Sequence, residues 1–353
     1  GGQDTSVEQV LKRPDSYKNL SYEYIRYPFD KSYTEYYQKL ADSLLRVETP
    51  FVVLADNDDF YFVDGLRRSI EFLDRNSEYT SCRGLMGGFI LDQEDKSPSL
   101  GEVYGDDAVL TMPPLLPSIS NDTSTSRVAE HFSNYSPTYY DVHRTKVMST
   151  CFRKLSDLDP ENVMLAELLT SFLTVAQGKI YRGEYLYLIR QVGLSDNNSK
   201  LDRQKWGDHF NRMLANTWSA DFTGFTESVA EVVSTKDGLT IDKTKTHVKQ
   251  SFREYVAPQV TDSLSRDIPG SGKTQIRRFR DLVVKLPVQS KSRRVAQWVY
   301  KQYTTTRRFA ANLLRGNSGI QQILLSNPSR YHKELRLVYD VIKAPPIDIE
   351  AKS

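Results

Sequence analysis

Cysteine is scarce: the 353 residues include two, Cys82 and Cys151. Two thiols cannot build a disulfide framework or a cysteine-rich zinc site, so both are expected to be free core residues. Long apolar runs are missing as well. No stretch approaches the roughly 18 residues that a membrane-spanning helix needs, and mean hydropathy is negative. The opening GGQDTSVEQ has neither the basic start nor the apolar middle of a secretory leader. These absences predict a cytoplasmic chain, at most peripheral at the inner face of a membrane. No nucleophile elbow or Ser/His/Asp order appears, which argues against a serine hydrolase. The sequence IPGSGKT (Ile268–Thr274) fails as a phosphate-binding loop: Asp267 stands where the pattern requires glycine, and no apolar strand precedes it.

Charge is present but uneven. Residues 270–353 hold 17 Lys/Arg against 5 Asp/Glu, a net of +12, which leaves −10 on the rest of a chain whose total is +2. Such asymmetry predicts an anionic partner for the tail. An ordinary basic face packed on the chain's own acidic part is one reading. Arg277, Arg278, Arg280, Arg293, Arg294, Arg307 and Arg308 interleave with Trp298, Tyr300, Tyr303 and Phe309. That mixture also suits an anionic membrane surface. A nucleic acid ranks behind both.

The apolar pattern predicts an α/β fold. A helix is expected from Ser32, with Tyr36, Leu40, Leu44 and Leu45 on one face, ending at Thr49-Pro50. FVVLA (51–55) reads as a buried parallel strand. Asp64 is expected to cap a helix whose stripe is Leu66, Ile70 and Leu73, and residues 83–91 read as the next strand. Residues 92–126 read as a long loop, and 140–143 as a short strand. Residues 160–177 read as a helix with Gly178 at its C-cap, and 179–190 as two short strands about Gly183. Asp196-Asn197-Asn198-Ser199 is linker chemistry. A boundary near residue 200 then divides an α/β domain (1–200) from a mainly helical region (201–353).

Asp56-Asn57-Asp58-Asp59 follows directly on the FVVLA strand. In open α/β sheets ligands collect at strand carboxyl ends, and three carboxylates there are costly unless a cation neutralises them. Mn²⁺ or Mg²⁺, which take oxygen ligands and leave positions for phosphate, are the expected cofactors. An acidic strand-to-helix turn is the plainer alternative.

Three ordered blocks carry a resemblance. TPFVVLADNDDFYFVDGLRRSIEFLDRNSEYTSCRG resembles the metal-site region of bacterial glycosyltransferases of the GT-A superfamily. RVAEHFSNYSPTYYDVHRTKVM is similar to their segment with a Tyr-x-Val-His-Arg core, and LAELLTSFLTVAQGKIYRGEYLYLIR to their Glu-bearing helix, Gly-Lys turn and closing Arg. The likeness spans roughly residues 35–190. It implies a Rossmann-like nucleotide-sugar domain whose first β-α-β unit is missing from this sequence, with Asp4 as a remnant of its acidic strand end.

The resemblance also implies roles. Asp56 would contact the donor's ribose or the metal, Asp58 would coordinate the metal, and Asp59 would support the donor site. Glu167 would be the general base of an inverting transfer, drawing the proton from an acceptor hydroxyl. Arg144 and Arg190 would contact donor phosphates. His143 would be a third metal ligand or an acceptor-site residue. The implied partners are a nucleotide-sugar donor and a glycan or lipid-linked acceptor in surface polysaccharide synthesis. The rivals are a non-catalytic sugar-binding relative and a nucleic-acid-binding protein that uses the tail.

Overall fold

The computed structural model describes residues 8–12, 20–90, 109–112, 115–191, 209–266, 321–323 and 331–343. The loop residues 91–108, the Asp196–Ser199 linker, the Ile268–Thr274 segment and the basic aromatic stretch 277–309 lie outside them. After a short helix α1 (Glu8–Leu11), the first long helix is α2 (Tyr33–Leu45). Ser32 starts it, its hydroxyl accepting the Glu35 amide. Tyr37 and Leu44 are buried on its inner face, while Leu45 is 70% exposed, so the stripe is one residue narrower than its apolar letters suggest.

Seven strands form one mixed α/β sheet: β1 (Phe51–Val52), β2 (Asp59–Tyr61), β3 (Tyr79–Ile90), β4 (Val109–Met112), β5 (Val142–Arg144), β6 (Lys179–Gln191) and β7 (Gln321–Ile323). The long strands β3 and β6 run parallel at its centre. On the far edge of β3, β5 pairs near its start and β4 near its end; β1 then adds to β5, and β7 to β4. On the far edge of β6, β2 pairs antiparallel.

Three expectations change here. FVVLA is not a buried parallel strand: two of its residues pair antiparallel with β5 and are half-buried. Residues 179–191 are one strand rather than two, because Gly183 does not break it. Gly183 and Gly84 instead clear room for the ring of Tyr185: a Cβ at Gly183 would stand 2.1 Å from that ring, and one at Gly84 2.6 Å. Part of the expected 92–126 loop is the strand β4.

Helix α3 (Val63–Arg75) follows β2 directly and covers β3 and β6. Asp64 does not cap it; the N-cap is Phe62, without a side-chain bond, and Asp64 pairs with Arg67 and Arg68 on the surface. Gly65 lets the helix approach, since a Cβ there would lie 2.4 Å from the Leu186 carbonyl oxygen.

The other layer is helical: α4 (Ser124–Ser133), α5 (Thr145–Leu158), α6 (Val163–Gln177), α7 (His209–Met213), α8 (Trp218–Asp237) and α9 (Ile241–Arg266). Helix α6 is buried from Met164 to Ala176 except at Glu167, and it packs on α4, α5 and α8, as a helix apolar all round must. Asn162 caps its start. Gly178 is extended rather than left-handed; glycine is needed there because a Cβ would meet the Glu78 carbonyl oxygen at 2.8 Å. The main core cluster runs from Tyr37 on α2 to Val256 on α9.

Within the expected basic tail, β7 joins the sheet, and α10 (His332–Lys343) buries Leu335 and Val338 against Phe89, Leu186 and Ile189. These parts of the tail complete the fold. Cys82 and Cys151 are buried and unbridged. Among the described residues no helix is long and apolar enough to cross a membrane.

Candidate functional site

The site lies where β2 leaves the carboxyl end of the central strand pair. Asp56, Asp58 and Asp59 each offer a carboxylate oxygen, and these three atoms lie within 4.8 Å of one another. Asp59 opens β2, and the antiparallel register sets it opposite Arg190 near the end of β6. Arg190 Nε donates to Asp59 Oδ2 at 3.2 Å, and its Nη2 lies 3.7 Å from Asp56 Oδ2. One guanidinium therefore pairs with two of the three carboxylates, which leaves the cluster short of positive charge among the described residues.

Asp59 is set deep in the site. Its side chain is 1% exposed, and its Oδ1 is buried without a hydrogen-bond partner. A buried acceptor left unmade costs about 1–3 kcal/mol. Burial raises its carboxyl to about 6; Arg190 opposes the shift, and Asp56 and Asp58 add to it. Three hard oxygen donors with one oxygen unsatisfied fit Mn²⁺ or Mg²⁺.

The raised value has a measurable sign. A carboxyl that holds its proton more tightly when folded stabilises the metal-free protein below about pH 4, and that contribution is lost as pH rises toward 6. The loss amounts to at most about 2–3 kcal/mol. Asp59→Asn is expected to flatten the melting temperature between pH 4.5 and about 7. An unchanged slope across that window would sink the assignment.

Tyr140 was not singled out by sequence, although it begins the Tyr-x-Val-His-Arg block. Its hydroxyl donates to Asp56 Oδ2 at 2.6 Å, and Arg190 stacks on its ring at 3.7 Å. Behind it is a buried ion cluster. Asp141, wholly buried, accepts from Arg182 Nη1 at 2.7 Å and from Ser81 Oγ at 2.8 Å, and Arg83 Nε stands 3.5 Å away. Burial alone would raise the Asp141 carboxyl, but Arg182 and Arg83 outweigh it and hold it below the ordinary range.

The remaining expected site residues lie apart from the three acids. Arg144 donates to the carbonyls of Leu73, Asn76 and Tyr79. It thus closes the C-terminal end of α3, the end away from β2, where a cation is favoured. His143 is fully buried, its Nε2 2.6 Å from the Thr138 carbonyl oxygen, and burial lowers its affinity for a proton. Among the described residues no histidine joins the acidic cluster. Glu167 is exposed on α6, and its Oε1 accepts the Tyr135 hydroxyl at 3.1 Å.

No protein-family model and no curated protein matches the sequence. Among solved structures, the chain is similar to the crystal structure of S. aureus TarS, with 15% identity and a TM-score of 0.33. The match covers 70% of this chain and 36% of that one, so this chain spans little more than a third of that neighbour.

Proposed function

We propose that this chain is a metal-dependent glycosyltransferase of GT-A type that moves a sugar from a nucleotide-sugar donor to a hydroxyl of a glycan or lipid-linked acceptor. The observation that carries the reading is the three-aspartate cluster at the end of the central strands, with a buried, unpartnered Asp59 oxygen and one guanidinium beside it. The block resemblance across residues 35–190 supports it.

In this reading Asp56 and Asp58 hold the ion. When bound, it neutralises negative charge developing on the diphosphate leaving group. Asp59 completes the acidic wall and keeps Arg190 in place. Arg190, whose side chain remains 30% exposed, meets a donor phosphate with the part of its planar fork that Asp59 does not occupy. Glu167 takes the proton of the acceptor hydroxyl as that oxygen attacks the anomeric carbon, and the nucleoside diphosphate leaves from the opposite face.

The segment Tyr135–Tyr140 links the two groups: its first tyrosine bonds Glu167 and its last bonds Asp56. The test is thermal shift with nucleoside diphosphates, with and without Mn²⁺. A ligand at 100 times its dissociation constant adds about 2.7 kcal/mol of stability. A melting temperature unmoved by every nucleoside diphosphate in the presence of Mn²⁺ refutes the reading.

A further inference from the structure

Tyr140 lies between the anionic and cationic arms of the site and touches both. Its hydroxyl meets Asp56 at 2.6 Å, while the Arg190 guanidinium lies over its ring at 3.7 Å. The Tyr140 carbonyl accepts the hydroxyls of Tyr187 at 2.7 Å and Tyr61 at 3.3 Å. Tyr139 packs edge-on against its ring at 4.8 Å between centroids. The next residue, Asp141, is locked by Arg182 and Ser81. Only 8% of Tyr140 is exposed.

We propose that Tyr140 is the positioning residue of the acidic centre: its hydroxyl fixes the Asp56 carboxylate and its ring fixes Arg190, so that one side chain sets the spacing of the metal-holding and phosphate-holding arms. This rests on the reading of the cluster as a metal site. The physical case is that a ligating carboxylate has more than one oxygen and more than one rotamer. An outer hydrogen bond selects which oxygen faces the ion, and such outer partners commonly contribute 10- to 100-fold in metal affinity. The ring keeps Arg190 from collapsing fully onto Asp56, where it would compete with the ion. A cation over an aromatic face is stabilised without being neutralised.

The test uses the full chain and Mn²⁺ alone, with affinity from calorimetry and the bound ion's electron paramagnetic resonance spectrum. Tyr140→Phe keeps the ring and removes only the hydroxyl. It is expected to weaken Mn²⁺ about tenfold and to alter the spectrum of the bound ion. Tyr187→Phe is the structural control. It removes a bond to the same backbone carbonyl without touching Asp56, and is expected to lower the melting temperature while weakening Mn²⁺ less than Tyr140→Phe does. If wild type binds Mn²⁺ and Tyr140→Phe binds it equally with the same spectrum, the role of Tyr140 is overturned and the metal site stands. If both variants weaken Mn²⁺ alike, general loosening is the cause and the proposal is overturned. If wild type binds no Mn²⁺, the metal-site reading and the proposal fall together.

Discussion

Asp58→Asn abolishes Mn²⁺-dependent binding of nucleoside diphosphates and leaves the metal-free protein at least as stable as wild type. Asp58 is half-buried within a cluster whose ligand oxygens lie within 4.8 Å of one another. Losing one charged ligand from so small an oxygen set should weaken the ion by more than the 10- to 100-fold typical of outer partners. The sign on the apo protein is opposite. Asp56, Asp58 and Asp59 repel one another, and Asp59 is buried with Arg190 as its ion-pair partner. Removing the Asp58 charge relieves that repulsion. A variant merely damaged in folding would lose binding and stability together. Calorimetry showing unchanged Mn²⁺–nucleotide affinity in Asp58→Asn would dismiss it as a ligand.

Glu167→Gln is expected to keep donor binding and lower turnover by at least about 100-fold, the scale of general-base loss. The amide keeps the size of the side chain and can still accept the Tyr135 hydroxyl through its oxygen. Only basicity is removed. Because Glu167 interrupts the buried run of α6 at an exposed position, the exchange should leave the melting temperature nearly unchanged. Turnover near wild type would place the base elsewhere, with Glu161, just ahead of the same helix, next to test.

The legible parts of the sequence were those governed by local chemistry. Helix α6 announces itself through a polar cap and an unbroken apolar surface, and α2 through its Ser32 start. The three aspartates were conspicuous because like charges rarely crowd at a strand end. Other features depend on partners distant in sequence. FVVLA reads as a central strand, since an apolar run does not say how many neighbours it has. Gly183 reads as a break, while its reason is the ring of Tyr185 two residues on. Arg144 has the chemistry of a phosphate ligand, but the carbonyls it serves sit at the end of α3. Nothing local marks Tyr140, because its carboxylate partner lies 84 positions away. Burial decides such cases: a cation whose chemistry suits a ligand, as in Arg144, can be spent on backbone carbonyls.

The seating of α10 on Phe89, Leu186 and Ile189 bears on biosynthesis. Translation delivers β6 roughly 150 residues before it delivers α10. At about 5–20 residues per second, that leaves an apolar sheet face uncovered for about 8 to 30 s on every nascent chain. The pairing of β4 with β7 bridges a still longer stretch and cannot nucleate folding early, because closing so large a loop is slow. Chains interrupted anywhere between β6 and α10 would therefore carry sticky, half-finished sheets, natural clients for a chaperone. Yield of the protein should respond to translation speed and growth temperature more steeply than its final stability alone would suggest.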